Sequence, residues 1–184
     1  MKKTLTTTFI FILFPLCFFI IGCCKENLVI SGVYKFFIYD TEKREEIEII
    51  RRKPFDVKLD PKLEIISQNL FEYSNGLYAT TCQTLMKNCI KAGSVKLLFS
   101  KEIRLLGKTV SQNTNLINEL NLEYTAINTE CKELAVNNGY VTVKFSKDLM
   151  NNIQIENGFA TFKISYETND GRLVQAEKEI YINL

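Results

Sequence analysis

The sequence predicts an all-β sandwich of about seven or eight short strands with one short helix, and three observations lead there. Segments rich in β-branched and aromatic residues recur at short intervals. Turn-forming pairs such as Asn75-Gly76 and Asp170-Gly171 punctuate them. One stretch alone, 114–122, carries a helical signal, with Asn113 or Thr114 as its expected cap. The 184 residues fit one domain of ordinary size, and 46% hydrophobic content supplies a core without metal or partner.

In chain order, Ile30–Tyr39 and Glu45–Ile50 flank the charged turn Asp40-Thr41-Glu42-Lys43-Arg44 and predict a first hairpin. Alternation of polar and apolar residues from Glu45 to Ile49 suits a strand with one wet face, its charges guarding an edge. Arg51-Arg52-Lys53 reads as a solvated strand end, compensated by Glu45, Glu46 and Glu48. Pro54 and Pro61 bracket a crossing segment, after which Lys62–Tyr73 and Leu77–Gln83 are expected to pair across Ser74-Asn75-Gly76. Ser94–Phe99 is a further strand. In Tyr140–Phe145, Val141, Val143 and Phe145 share one face, as Ala160, Phe162, Ile164 and Tyr166 do in Phe159–Glu167. Asn169-Asp170-Gly171 then turns the chain into Arg172–Ile182, where Val174, Ala176, Ile180 and Ile182 line one face.

The amino terminus carries a different signal. Lys2 and Lys3 precede the 13-residue apolar run Phe9–Ile21, which is interrupted by Pro15. A helix needs about 20 residues to cross a bilayer, whereas the cores of cleaved signals run about 7–15, so length favours an export signal over a permanent span. Removing that segment takes both surplus charges with it. From Cys23 onward, 21 basic side chains face 21 acidic ones. A neutral domain offers no electrostatic case for nucleic acid or for a polybasic grip on lipid.

Ile20-Ile21-Gly22-Cys23, at the end of the apolar run, resembles the bacterial lipobox. The resemblance implies cleavage between Gly22 and Cys23, diacylglycerol on the Cys23 thiol and a membrane anchor through that lipid. At about 0.8 kcal/mol per buried methylene, two or three chains hold a protein on a membrane without further contacts. The expected organisation is therefore signal peptide 1–22, lipidated tether 23–29 and one sandwich domain 30–184. Lys25-Glu26, shortly after the acceptor, resembles part of the lysine-plus-acidic export tag of Bacteroidota surface lipoproteins, with Asn27 standing where a second acid is usual. Gly158–Tyr166 with Asp170-Gly171-Arg172 resembles the closing hairpin of immunoglobulin-like modules in such proteins. The chain as a whole is similar to small uncharacterised Bacteroidota lipoproteins. That implies an immunoglobulin-like sandwich on the outer membrane, facing the periplasm or the cell surface, with no functional residue assigned beyond Cys23.

Six cysteines are present. Cys17 leaves with the signal and Cys23 takes lipid, so Cys24, Cys82, Cys89 and Cys131 remain in an exported compartment, where four thiols allow three pairings. A Cys82–Cys89 bridge across six residues is the preferred one, stabilising by about 2.5 kcal/mol on a chain-entropy estimate. The spacings lack the close C-x-x-C pairs of a cysteine-only zinc site.

The absence of histidine excludes Ser-His-Asp and Cys-His catalysis, histidine-ligated metals and imidazole switching. No cofactor is expected. Three classes of function stay open. The first is a binding or adhesion module for a glycan or an envelope protein, to which Tyr73, Tyr78, Tyr124 and Tyr140 are candidate contributors. The second is a structural component of an envelope complex. The third, least expected, is a hydrolase using paired carboxylates such as Asp56 with Asp60 or Glu130 with Glu133, pairs that 21 acids produce by chance.

Overall fold

The computed structural model describes residues 25–69, 83–126 and 141–184. These three stretches form the expected all-β sandwich. One sheet is built on a long antiparallel pair, β1 (Lys25–Asp40) and β4 (Phe55–Asn69), in register from Lys25 opposite Asn69 to Asp40 opposite Phe55. Strand β10 (Val141–Phe145) pairs with β4, and β9 (Tyr124–Ala126) pairs with β10. On the other side of β1 lie short β2 (Glu45–Glu46) and β5 (Gln83–Met86), the latter parallel. The facing sheet runs β3 (Ile49–Ile50), β13 (Leu173–Ile182), β12 (Gly158–Glu167), β6 (Lys96–Phe99). A small third sheet combines β7 (Ile103–Leu105), β8 (Lys108–Val110) and β11 (Ile153–Gln154).

Period-two patterning builds the core. Ile38, Val57, Leu59, Val141, Val143 and Phe145 from the first sheet meet Leu97, Phe99, Ala160, Phe162, Ile164, Ile180 and Ile182 from the second, all buried. Four rings bridge the layers. Phe55 stacks on Phe145 at 4.4 Å, Phe99 lies 4.5 Å from Phe162, and Phe145 meets Phe162 edge-on at 6.0 Å.

Several boundaries differ from those expected, each for a visible reason. The tether expected to run to residue 29 is strand from Lys25, because the start of β1 is held between β4 and β5. Glu45–Ile50 is not one strand. Its first two residues close the hairpin with β1, and the chain then crosses so that Ile49 and Ile50 pair in parallel with Tyr181 and Ile182. Lys62 does not open a new strand but continues β4 through Pro61. That proline is tolerated where register shifts between Ile30 and Lys35 loosen the ladder. Residues skipped by the register, Ser31 and Tyr34 on β1 and Ile66 on β4, turn outward and are exposed. The expected helix is one turn, α1 (Leu116–Glu119), capped by Asn115 rather than by Asn113 or Thr114. Asn115 Oδ1 accepts from the Ile117 and Leu97 amides, tying the helix to β6. A second helix, α2 (Lys147–Asn152), capped by Ser146, is additional to the single one expected. The Ser74-Asn75-Gly76 turn lies outside the described residues.

Candidate functional site

Strand β1 runs the length of the first sheet from Lys25 to Asp40. Lys25, its first residue, stands two positions after Cys23. Its sixteen residues carry the chain away from that point over a contour on the order of 50 Å, ending at Asp40. Asp40 is buried and folds the following turn around itself, its Oδ1 accepting from the amides of Glu42 and Lys43.

At this far end lies a shallow cleft of about 390 Å³, lined by Asp40, Lys43, Ile47, Glu48, Ile49, Arg51, Lys53, Pro54 and Phe55. Its cations are unevenly engaged. Lys43 pairs with Glu45 at 3.2 Å and Lys53 with Glu42 at 3.1 Å, whereas Arg51 is exposed and makes no ion pair among the described residues. The cleft continues onto the outer face of the second sheet through Ile49, which registers with Tyr181. Tyr181 in turn meets Phe159 edge-to-face at 5.2 Å, and Phe159 is 66% exposed. A guanidinium, two further cations and an exposed aromatic pair thus share one end of the sandwich. Such a surface can contact acidic or hydroxylated ligands by charge-assisted hydrogen bonds and ring packing. The alternating pattern of β12 and β13 places Phe159 and Tyr181 on an outward face, a signal sufficient to find them by sequence alone.

The remaining candidate residues fall elsewhere. Tyr124 is half-buried on β9 and packs against the core, the commoner fate of tyrosine. Tyr73, Tyr78 and Tyr140 lie outside the described residues, as do Glu130 and Glu133, the Gly22-Cys23 cleavage site, and Cys24, Cys82 and Cys131. Cys89 is buried and disulfide-bonded. Asp56 and Asp60 sit four residues apart on one extended strand, a separation of about 13 Å, beyond the roughly 5–9.5 Å that paired-carboxylate glycoside hydrolysis requires. Burial raises the carboxyl of each above its ordinary value, at Asp56 against the opposing pull of Lys58 and Lys144. They are two separate groups rather than a dyad.

A buried polar cluster closes the other half of the sandwich. Asn88 is fully buried; its Oδ1 accepts from the Ile30 amide at 2.7 Å, and its Nδ2 donates to the Ile30 carbonyl and to Asp170. Thr168 donates to Asp170 and to the Arg172 carbonyl, while the Cys89 amide donates to Asn169 Oδ1. Asp170 is held below its ordinary value first by Thr168. These bonds pin the β12–β13 turn to β1, a structural role. Among the described residues no group of His, Cys, Asp or Glu is placed to hold a metal ion, and no helix is long and apolar enough to cross a membrane.

Comparison with family models, curated proteins and solved structures finds no match to this chain.

Proposed function

We propose that this chain is an exported lipoprotein, anchored to the outer membrane by lipid on Cys23, whose sandwich is a binding or adhesion module for a glycan or an envelope protein. The observation that carries this reading is the start of β1 at Lys25. Strand β1 begins at Lys25, two positions after the lipobox-like cysteine, and its other end, Asp40, lines the cleft, an arrangement that suits a lipid at Cys23 on the side away from the cleft. Lipid at Cys23 would orient the Arg51–Phe159–Tyr181 end away from the bilayer, where a partner in the periplasm or outside the cell is met. The disulfide at Cys89 fits an oxidising, exported compartment.

The test is binding of the purified domain to envelope polysaccharides and envelope extracts, with Arg51→Ala and the double variant Phe159→Ala/Tyr181→Ala alongside. Binding that falls at least tenfold in either variant, about 1.4 kcal/mol, is the expected result. Binding unchanged in both variants would move the contact surface elsewhere, and no binding to any component would remove the adhesion reading.

A further inference from the structure

We infer that the ligand of the cleft end is an acidic glycan, whose uronic-acid carboxylate is received by Arg51 while its sugar face packs on Ile49, Tyr181 and Phe159. This ligand class rests on the binding reading proposed above, which it narrows from glycan or protein to one kind of glycan.

The charges of the cleft set the sign of the ligand. Its lining holds three cations, Lys43, Arg51 and Lys53, and two acids, Asp40 and Glu48. Asp40 is buried, and its Oδ1 is taken by the amides of Glu42 and Lys43. Glu45 and Glu42, which pair with Lys43 and Lys53, stand outside the lining. Both pairs are solvent-exposed, so they contribute little and yield readily to a competing anion. Arg51 needs no such exchange, because it is exposed and makes no ion pair among the described residues. Its planar guanidinium matches a carboxylate through two parallel hydrogen bonds.

The surface beside that cation sets the class. Ile49 is exposed, Ile50 buried and Arg51 exposed again, so Arg51 shares the outward face of Ile49. Ile49 stands opposite Tyr181, and Tyr181 opposite Phe159, so the three side chains form a row across three neighbouring strands, about 10 Å wide. An exposed apolar row next to one guanidinium suits the C–H face of a sugar ring that carries an acid. Glu48 lines the cleft, and Glu179 lies two positions before Tyr181 on the same face. Both are exposed and without an ion pair among the described residues, as acceptors for sugar hydroxyls must be. An extended peptide is served poorly here. It would have to add to the outer edge of β3, yet that strand is two residues long, and the Lys53 amide donates to the Arg51 carbonyl at 2.7 Å, which closes the edge.

The test titrates the full exported protein, solubilised in detergent, with hyaluronan, alginate and polygalacturonate, and with the same chains after chemical reduction of their carboxyls to alcohols. At least one acidic chain should bind about tenfold more tightly than its reduced counterpart, with the preference shrinking as salt is added. Arg51→Gln should abolish the preference, and Arg51→Lys, which keeps the charge but not the planar fork, should retain part of it. Equal binding of acidic and reduced chains, or a preference that survives in Arg51→Gln, would overturn the acidic ligand while leaving glycan binding intact. Failure of every acidic chain to bind would overturn it as well, and the assay on envelope extracts then reads the broader binding claim separately. Binding in those extracts that resists periodate oxidation but is lost on protease digestion would assign the surface to a protein partner and overturn the glycan.

Discussion

Glu46 receives Lys35 at 2.6 Å and Lys178 at 2.7 Å, from two strands in different sheets. Hydrogen bonds from Lys178 and then Lys35 hold its carboxyl below the ordinary value of 4.5. A carboxyl lowered in the folded state stabilises above its unfolded pKa and loses that contribution as pH falls through the folded one. Glu46→Gln should therefore reduce the urea midpoint at neutral pH, and the difference from wild type should shrink below about pH 4; a constant difference would exclude the ionic origin. Asn88→Ala strands the buried Ile30 amide and should destabilise by about 2–3 kcal/mol in urea melts. Tyr166 presents the opposite case. Its buried hydroxyl has no hydrogen-bond partner among the described residues, and burial, with the Asp60 charge, pushes the phenol above its ordinary pKa. Tyr166→Phe should raise stability by about 1 kcal/mol; a clear loss would mean that the hydroxyl is used. None of these roles is legible in the sequence. Lys178 stands at an inward position of an otherwise apolar alternation, and the partner that explains it lies 132 residues away.

At the scale of elements, legibility follows burial of a single face. Strands β10, β12 and β13 are readable because Val141, Val143, Phe145, Ala160, Phe162, Ile164, Tyr166, Val174, Ile180 and Ile182 alternate with wetter residues, and each is buried as the alternation requires. The long β1–β4 pair is harder to read because bulges at Ser31, Tyr34 and Ile66 break the period and Pro61 mimics a boundary. The β7–β8 hairpin escapes a turn-based reading because Leu106-Gly107 turns it with both residues at positive φ, 45° and 87°, where asparagine is the usual first residue. The cap of α1 is displaced by one or two residues from its expected place because asparagines and a threonine crowd that end of the helix, and it is Asn115 that bonds both the Ile117 and the Leu97 amides. One element gives a sharp test. Phe162→Ala empties the centre of the four-ring cluster and should cost about 3–5 kcal/mol in urea melts.

On the scale of the molecule, the candidate binding surface is only half legible. Arg51 and Lys53 stand out as part of a basic run, but neighbouring acids in the chain make that run look compensated. Folding changes the balance: Glu46 is drawn to Lys35 and Lys178, Glu45 and Glu42 to Lys43 and Lys53, and Arg51 is left facing solvent at the end that carries Tyr181 and Phe159. Which carboxylates are taken is a long-range outcome that no local pattern encodes. In the proposed reading the orientation of that surface depends on a lipid anchor, and that anchor on the Cys23 sulfur. Palmitate labelling and membrane fractionation of cells expressing wild type and Cys23→Ala test it most directly. Label on the wild type alone, with the variant released from the membrane fraction, is the predicted result; label or membrane retention that persists in Cys23→Ala would contradict the account.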